Sequence, residues 1–292
     1  MGGDGSGSGP YGDRVRLANL DGRATIVTGA GAIDVERGSN GRFGPDLTSA
    51  YERWAELVST EWDIGTAQPL ADPLPADRLG PPSPHPRQVF AIGLNYRDHV
   101  EETGSQLPPE PAVFTKFQSS LAGPFATVTL PSANVDWEVE LVVVIGRGGR
   151  GISEEDAWAV VAGVTVGQDL SERVVQRAAG THFSLGKSFP GFAPTGPWLV
   201  TADELDDPDD LRLTCSVDGE ARQDGRTSGM VFGVPTLIAK LSAVVTLWPG
   251  DIIFTGTPAG VGMGRRPPLF LSAGQVLEST IEGIGTIRNQ LV

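Results

Sequence analysis

Two glutamates one residue apart, Glu138 and Glu140, stand in the run Val135-Asp136-Trp137-Glu138-Val139-Glu140-Leu141-Val142-Val143-Val144-Ile145-Gly146. Its β-branched and apolar residues spell a strand. Side chains alternate across a strand, so Glu138 and Glu140 share one face with Val142 and Val144, while Trp137, Val139, Leu141 and Val143 share the other. Both faces are apolar over the second half, so the glutamates sit at the mouth of a buried strand. Two carboxylates there repel each other and lose hydration, and a cation is the natural way to hold them. An exposed strand end with solvated glutamates is the alternative, and this stretch alone leaves both open.

Other residues with chemical potential are scattered along the chain. His99 and Glu102, three apart in a helix-like segment, share a face. Asp169 precedes Ser171–Arg177, which reads as helical with Arg173 and Gln176 on one face, although an aspartate there is more often only a helix cap. Lys187 lies in Gly186-Lys187-Ser188-Phe189. This is not a phosphate loop, because no glycine stands five residues before Gly186 and no apolar helix follows. Thr255-Gly256-Thr257-Pro258-Ala259-Gly260-Val261-Gly262 reads, by itself, as a flexible loop. His85, between prolines, and His182, in a polar loop, read as exposed.

The elements that must position these residues are short. Strands are expected at Val15–Leu17, Ala24–Val27, Gln88–Gly93, Ala112–Lys116, Ala162–Gly167 and Asp251–Phe254, with strand alternation from Gln275 to Val292. Thr28 to Asp34 only superficially resembles a dinucleotide fingerprint: Asp34 stands where the third glycine belongs, and a hairpin turn is the better reading. Leu47 to Ser59 has helical spacing and reads as one amphipathic helix. Ser153 to Asp156 looks like the N-cap of a brief helix. Pro235 opens another, whose apolar stripe is Leu237, Ile238, Leu241, Val244 and Val245, with Gly250 at its end. The Pro-rich stretch Gly80 to Pro86 is the clearest linker and separates a small N-terminal domain, 1–84, from a main domain, 85–292. Residues 1–10, rich in glycine and serine, read as disordered. Many short strands, few helices and 39 glycines favour an α+β, β-rich roll or sandwich with short helices over a doubly wound sheet.

Bulk properties set further bounds. A formal net charge of −14 argues against non-specific nucleic-acid binding but not against an anionic substrate met by a local cationic cluster. Cys215 is the only cysteine, which excludes an intrachain disulfide framework and a cysteine-built zinc site; a reducing cytoplasm is the simplest compartment. No run is long and apolar enough to suggest a membrane span or a secretory signal.

Taken in order, Asn95-Tyr96-x-x-His99-x-x-Glu102, Glu138-x-Glu140, Asp169-x-x-x-Arg173-x-x-Gln176, Gly186-Lys187-Ser188-Phe189 and Thr255-Gly256-Thr257-Pro258-x-Gly260-Val261-Gly262 resemble the fumarylacetoacetate hydrolase family from about Gln88 to Val292. The resemblance implies a mixed β-sandwich roll of the fumarylacetoacetase C-terminal type behind a small N-terminal domain, and a homodimer. It implies that Glu138, Glu140 and Asp169 bind one divalent metal. Three carboxylates make a hard, all-oxygen set suited to Mg²⁺ or Mn²⁺, with Ca²⁺ also admissible, rather than Zn²⁺. It further implies a catalytic His99–Glu102 pair on a segment that closes over substrate, a charge-neutralising Lys187, and substrate contacts from Arg173, Gln176, Gly256 and Thr257. Lys116 departs from the pattern, since Phe117 follows where the family commonly has proline, and its role is left open.

The activity implied is metal-dependent cleavage of a carbon–carbon bond in a 2,4-dioxo acid, through an enolate, releasing pyruvate or an analogue. The surroundings of Asp169 and Lys187 look like members acting on 2,4-dioxo-3-deoxy sugar acids. Oxaloacetate decarboxylation, or isomerisation or hydration of related oxo acids, uses the same metal motif and is the alternative. A catalytically inactive metal-binding protein is the alternative of another class.

Overall fold

The computed structural model describes residues 16–69, 78–178 and 180–292. The expectation of disorder for residues 1–10, and Val15 of the first expected strand, lie outside the described residues.

Two sheets carry the fold. In the larger, the main path runs Gly31–Asp34, Arg23–Thr28, Arg16–Leu20, Ala193–Val200, Val161–Gln168, Val139–Ile145, Ile252–Phe254, Val89–Gly93, Ala112–Thr115. The second orders Glu220–Arg226, Arg212–Val217, Val276–Ile281, Gly285–Leu291 and Thr127–Val128. Alternation along Val139–Ile145 decides how the sheets stack. Val139, Leu141, Val143 and Ile145 face Leu213, Cys215, Leu277 and Ile287 of the second sheet in one buried core. Val142 and Val144 face the opposite way, into a core shared with Leu17, Ile26, Tyr51, Leu57 and Leu199. Every residue of this strand is buried, and each such aliphatic side chain contributes about 1.5–3 kcal/mol relative to exposure. The result is the expected α+β, strand-rich architecture.

The N-terminal strands join the same large sheet. Arg16 and Leu17 pair with Val200 and Leu199, so the sheet runs unbroken across the Pro-rich stretch that marks the chain's change of path. That stretch is packed down, with Ser83 Oγ donating to Gly250 O at 2.6 Å.

Two helical expectations need correction. Leu47 to Ser59 forms two short helices, Leu47–Glu52 and Trp54–Val58, because Arg53 leaves helical geometry (φ −120°, ψ 31°). The break serves two anchors: Tyr51 Oη donates to Pro82 O at 2.9 Å, while the Trp54 ring covers Gly146, where a Cβ would fall 2.5 Å from it. The helix begun near Pro235 spans Val234–Val244 and stops well before Gly250. Leu247 is taken into a two-way backbone bridge with Gly149, which pulls the chain off the helix axis and leaves Val244 74% exposed.

Candidate metal centre and active site

The long strand is interrupted where its chemistry begins. Val135–Asp136 pairs with Ser171–Glu172, strand pairing lapses at Trp137 and Glu138, and Val139–Ile145 then enters the large sheet. Side-chain amides fill the gap: Gln168 Oε1 accepts from Glu138 N at 2.8 Å, and Gln223 Oε1 accepts from Val139 N at 2.9 Å. Asp169 N donates to Glu138 O at 2.9 Å, which brings the third carboxylate beside the pair. One oxygen each from Glu138, Glu140 and Asp169 lie within 4.8 Å of one another, and all three residues are buried. Of the two readings open for the strand, solvated glutamates are excluded.

Cations hold most of this negative charge. Lys187 Nζ donates to Glu138 Oε2 and to Asp169 Oδ2, both at 2.6 Å. Lys116, whose role the sequence left open, is buried with its ammonium on Asp169 Oδ1 and the Lys187 carbonyl. Arg173 Nη1 meets Glu138 Oε1 at 2.7 Å and Gln176 Oε1 at 2.9 Å, and Arg173 Nη2 meets Asp136 Oδ2 at 2.7 Å. Asp136 carries no motif of its own in the sequence. It has the same strand parity as Glu138 and Glu140, which was the available signal. It is fully buried and accepts from the Gly262 and Met263 amides at 2.7 and 2.9 Å, tying the glycine-rich turn to Arg173.

Glu140 is the exception. Among the described residues, Glu138, Asp169 and Asp136 each have a cationic partner, whereas Glu140 has only the Gly256 amide, donating to Oε2 at 2.7 Å. Four carboxylates therefore face three cations. Burial, with Asp169 and Glu138 alongside, pushes the Glu140 carboxyl well above the usual carboxylate range. Burial would also raise Glu138, but Lys187 and Arg173 outweigh it and hold its pKa at about 2. Burial pulls the Lys116 ammonium below its usual value despite Asp169, while for Lys187 the charges of Asp169 and Glu138 overcome burial and raise it. A buried, cation-deficient set of three carboxylate oxygens suits a hard divalent ion held by Glu138, Glu140 and Asp169.

The turn after Ile252–Phe254 closes one side. Gly256 has φ +99°, and a Cβ there would lie 2.7 Å from Asn95 Cβ, so only glycine presents this amide to Glu140. Thr257 Oγ1 donates to Val139 O at 2.9 Å and accepts from Gln223 Nε2 at 2.7 Å, so the hydroxyl proposed to contact substrate also pins the turn to the strand. Opposite, the helix Arg97–Thr103 puts His99 and Glu102 on one face. His99 Nδ1 lies 3.1 Å from Glu102 Oε2, and Glu102 Oε1 accepts from Gly260 N at 3.0 Å. Burial opposes ionisation of Glu102, but the His99 and Gly260 hydrogen bonds prevail and lower its pKa. With Nδ1–H pointed at Glu102, the free nitrogen of a neutral His99 is Nε2, a base.

A cavity of about 230 Å³ is lined by His99, Glu138, Glu140, Arg173, Gln176, Lys187 and Thr257, among others. The structure thus gathers the sequence-derived site residues around one space, with Asp169 and the Gly256 amide in contact with its walls. His85 and His182 are exposed and apart from it. Among the described residues, no helix is long and apolar enough to cross a membrane.

Comparison with known proteins follows the same lines. Residues 88–292 match the model of the fumarylacetoacetate (FAA) hydrolase C-terminal family. The chain is 47% identical to oxaloacetate tautomerase Fahd2a, mitochondrial, of Rattus norvegicus, over 90% of this chain and 85% of that protein. It is 48% identical to 2,4-didehydro-3-deoxy-L-rhamnonate hydrolase of Sphingomonas sp. strain SKA58, over 73% of this chain and 76% of that one. Among solved structures, maleylpyruvate hydrolase from Sphingobium sp. SYK-6, in complex with manganese(II) and pyruvate, superimposes with a TM-score of 0.74 at 29% identity, covering 95% of this chain and 98% of that one.

Proposed function

The chain belongs to the fumarylacetoacetate hydrolase family of enzymes, and on that premise we propose that it hydrolyses a carbon–carbon bond in a 2,4-dioxo acid to release pyruvate or a pyruvate analogue. The observation that carries this reading is the joining of two devices on one cavity: a cation-deficient carboxylate triad and a histidine base oriented by a glutamate. Mg²⁺ or Mn²⁺ held by Glu138, Glu140 and Asp169 would supply Lewis acidity for a 2-oxo carboxylate and for the negative charge that develops as the bond breaks.

The chain's own residues do the rest. Glu102, fixed by the Gly260 amide, holds His99 with Nε2 free, and His99 takes a proton from water for attack at the distal carbonyl. Lys187, 3% exposed and on the cavity wall, places an ammonium near the carboxylates to meet enolate charge. Arg173 and Gln176, linked to each other and buried, give the cavity fixed donors for carboxylate or carbonyl oxygens. A cavity of about 230 Å³ suits a short oxo acid.

The same His99 base acting on a carbon-bound proton instead of water would interconvert keto and enol forms, and the likeness to an oxaloacetate tautomerase favours this as the second reading. Pyruvate release from acylpyruvates, and loss of the enol absorbance of oxaloacetate, measured with Mg²⁺ or Mn²⁺, separate the two. Hydrolysis requires pyruvate in step with substrate loss; enol decay with no pyruvate from any acylpyruvate would sink it.

A further inference from the structure

Thr257 lines the cavity, and its hydroxyl belongs to a closed ring of hydrogen bonds in which every direction is forced. Gln223, from the edge strand Glu220–Arg226 of the second sheet, is buried and reaches the start of Val139–Ile145. Its Oε1 accepts from Val139 N at 2.9 Å, while its Nε2 donates to Pro258 O at 2.9 Å and to Thr257 Oγ1 at 2.7 Å. The amide cannot be turned over, because Val139 N–H needs an acceptor and Pro258 O needs a donor, so both ends choose the same orientation. Thr257 Oγ1 in turn stands 2.9 Å from Val139 O, a carbonyl that only accepts, and the hydroxyl proton goes there.

A hydroxyl has one proton and two lone pairs, and here the proton and one lone pair are engaged. What Thr257 Oγ1 retains for a ligand is a single lone pair. A carboxylate oxygen has no proton to place on it, whereas an enol or alcohol does. The ring also stands where the strand lacks a neighbour: Val139 pairs with Gln168 on one side, but Ile252–Phe254 joins on the other only from Val142. Gln223 and Thr257 therefore hold both backbone polar groups of the residue between Glu138 and Glu140. Gly225 permits the approach, since a Cβ there would lie 2.6 Å from Pro258 Cβ.

We propose that Thr257 receives a protonated oxygen of the ligand, the hydroxyl of an enol or of a 2-hydroxy acid, and that Gln223 is the positioning residue that holds it in this accepting role. This rests on the oxo-acid reading above and deepens it, naming the enol as the form of the oxo acid that the cavity favours at Thr257.

The test uses binding, so that it does not depend on turnover. Mn²⁺-loaded protein is titrated by calorimetry with glycolate and with oxalate, small chelating acids of which only glycolate brings a hydroxyl. Thr257→Val should weaken glycolate by about threefold to tenfold, the worth of a neutral hydrogen bond, and oxalate by less than about twofold. Thr257→Ser should restore glycolate binding. Gln223→Met should reproduce the glycolate-selective loss, and most of that loss should vanish when the change is made in the Thr257→Val background. A purely architectural Gln223 would instead weaken both ligands alike and add its loss to that of Thr257→Val. Oxalate losing as much as glycolate in Thr257→Val, an undiminished loss for Gln223→Met in that background, or no glycolate binding by the unaltered protein overturns the proposal. Should Gln223→Met not fold, Gln223→Glu, which keeps an acceptor for Val139 N and removes the donor to Thr257, decides in the same sense. Failure to release pyruvate from any acylpyruvate would defeat the hydrolysis reading and leave these ratios intact, while equal losses for the two ligands with turnover intact would defeat only this inference.

Discussion

Glu140→Gln should make the metal-free protein more stable while removing its response to metal. The glutamate oxygens and Asp169 lie within 4.8 Å of one another, and a like-charge pair at that distance costs about 3.5 kcal/mol at an effective dielectric of about 20. Lys187 and Lys116 offset part of this, but Glu140 has no cation of its own among the described residues. A ceiling follows from protonation. The folded pKa is raised, so the penalty is absent below the unfolded value of 4.5 and grows as pH rises toward the folded one; at pH 7 it cannot exceed about 3.4 kcal/mol, the cost of carrying a proton across roughly 2.5 pH units. Glutamine keeps an oxygen for the Gly256 amide and turns an N–H donor toward Glu138 and Asp169. The expected gain is about 1–3 kcal/mol at pH 7, which for 292 residues raises Tm by about 2–5 °C, shrinking to nothing near pH 4.5. Unaltered protein at a metal concentration of about 100 Kd should gain about 2.7 kcal/mol, or about 4 °C, and the variant close to none. Scanning calorimetry in chelator and in Mn²⁺ measures both. A variant less stable than the parent in chelator at pH 7, or one that keeps the Mn²⁺ shift, would refute the charge accounting.

His99→Asn should lower kcat by about 10²–10⁴-fold with folding intact, and Glu102→Gln by a smaller factor, because it leaves the imidazole in place but removes the acceptor that fixes its tautomer; steady-state kinetics across pH measure both. Lys116→Met should destabilise by about 1.5–3 kcal/mol in chelator, since it strips one of the two cations from buried Asp169 and leaves Lys187, and added Mn²⁺ should recover much of that loss in a denaturant titration.

The motifs that read clearly in the sequence are those whose meaning is local. Alternation read over Val135 to Gly146 puts both glutamates on one face even though pairing lapses at Glu138, and the i, i+3 spacing puts His99 beside Glu102; neither needs knowledge of distant chain. What could not be read locally depended on partners far away. Lys116 was obscured by its altered neighbour Phe117, which lies exposed, whereas Lys116 itself reaches Asp169 from 53 residues off. Asp136 looked like any polar residue at a strand start until the Gly262 and Met263 amides and Arg173 converged on it. The break at Arg53 answers to Pro82 and Gly146, which no helical periodicity within Leu47 to Ser59 could announce.

The same distinction explains how the site is built. Each carboxylate lies in or directly beside a strand of the large sheet, but its charge is balanced by residues brought from elsewhere: Lys116 from the sheet edge, Lys187 from a loop, Arg173 from a short helix. These cations occupy Glu138 and Asp169 and leave Glu140 unmatched. The residues that hold the triad together without metal are therefore also the ones with charge to offer a substrate once a divalent ion takes its share of the carboxylates. On the proposed mechanism, stability of the metal-free protein and charge stabilisation during the reaction would draw on the same ammonium groups.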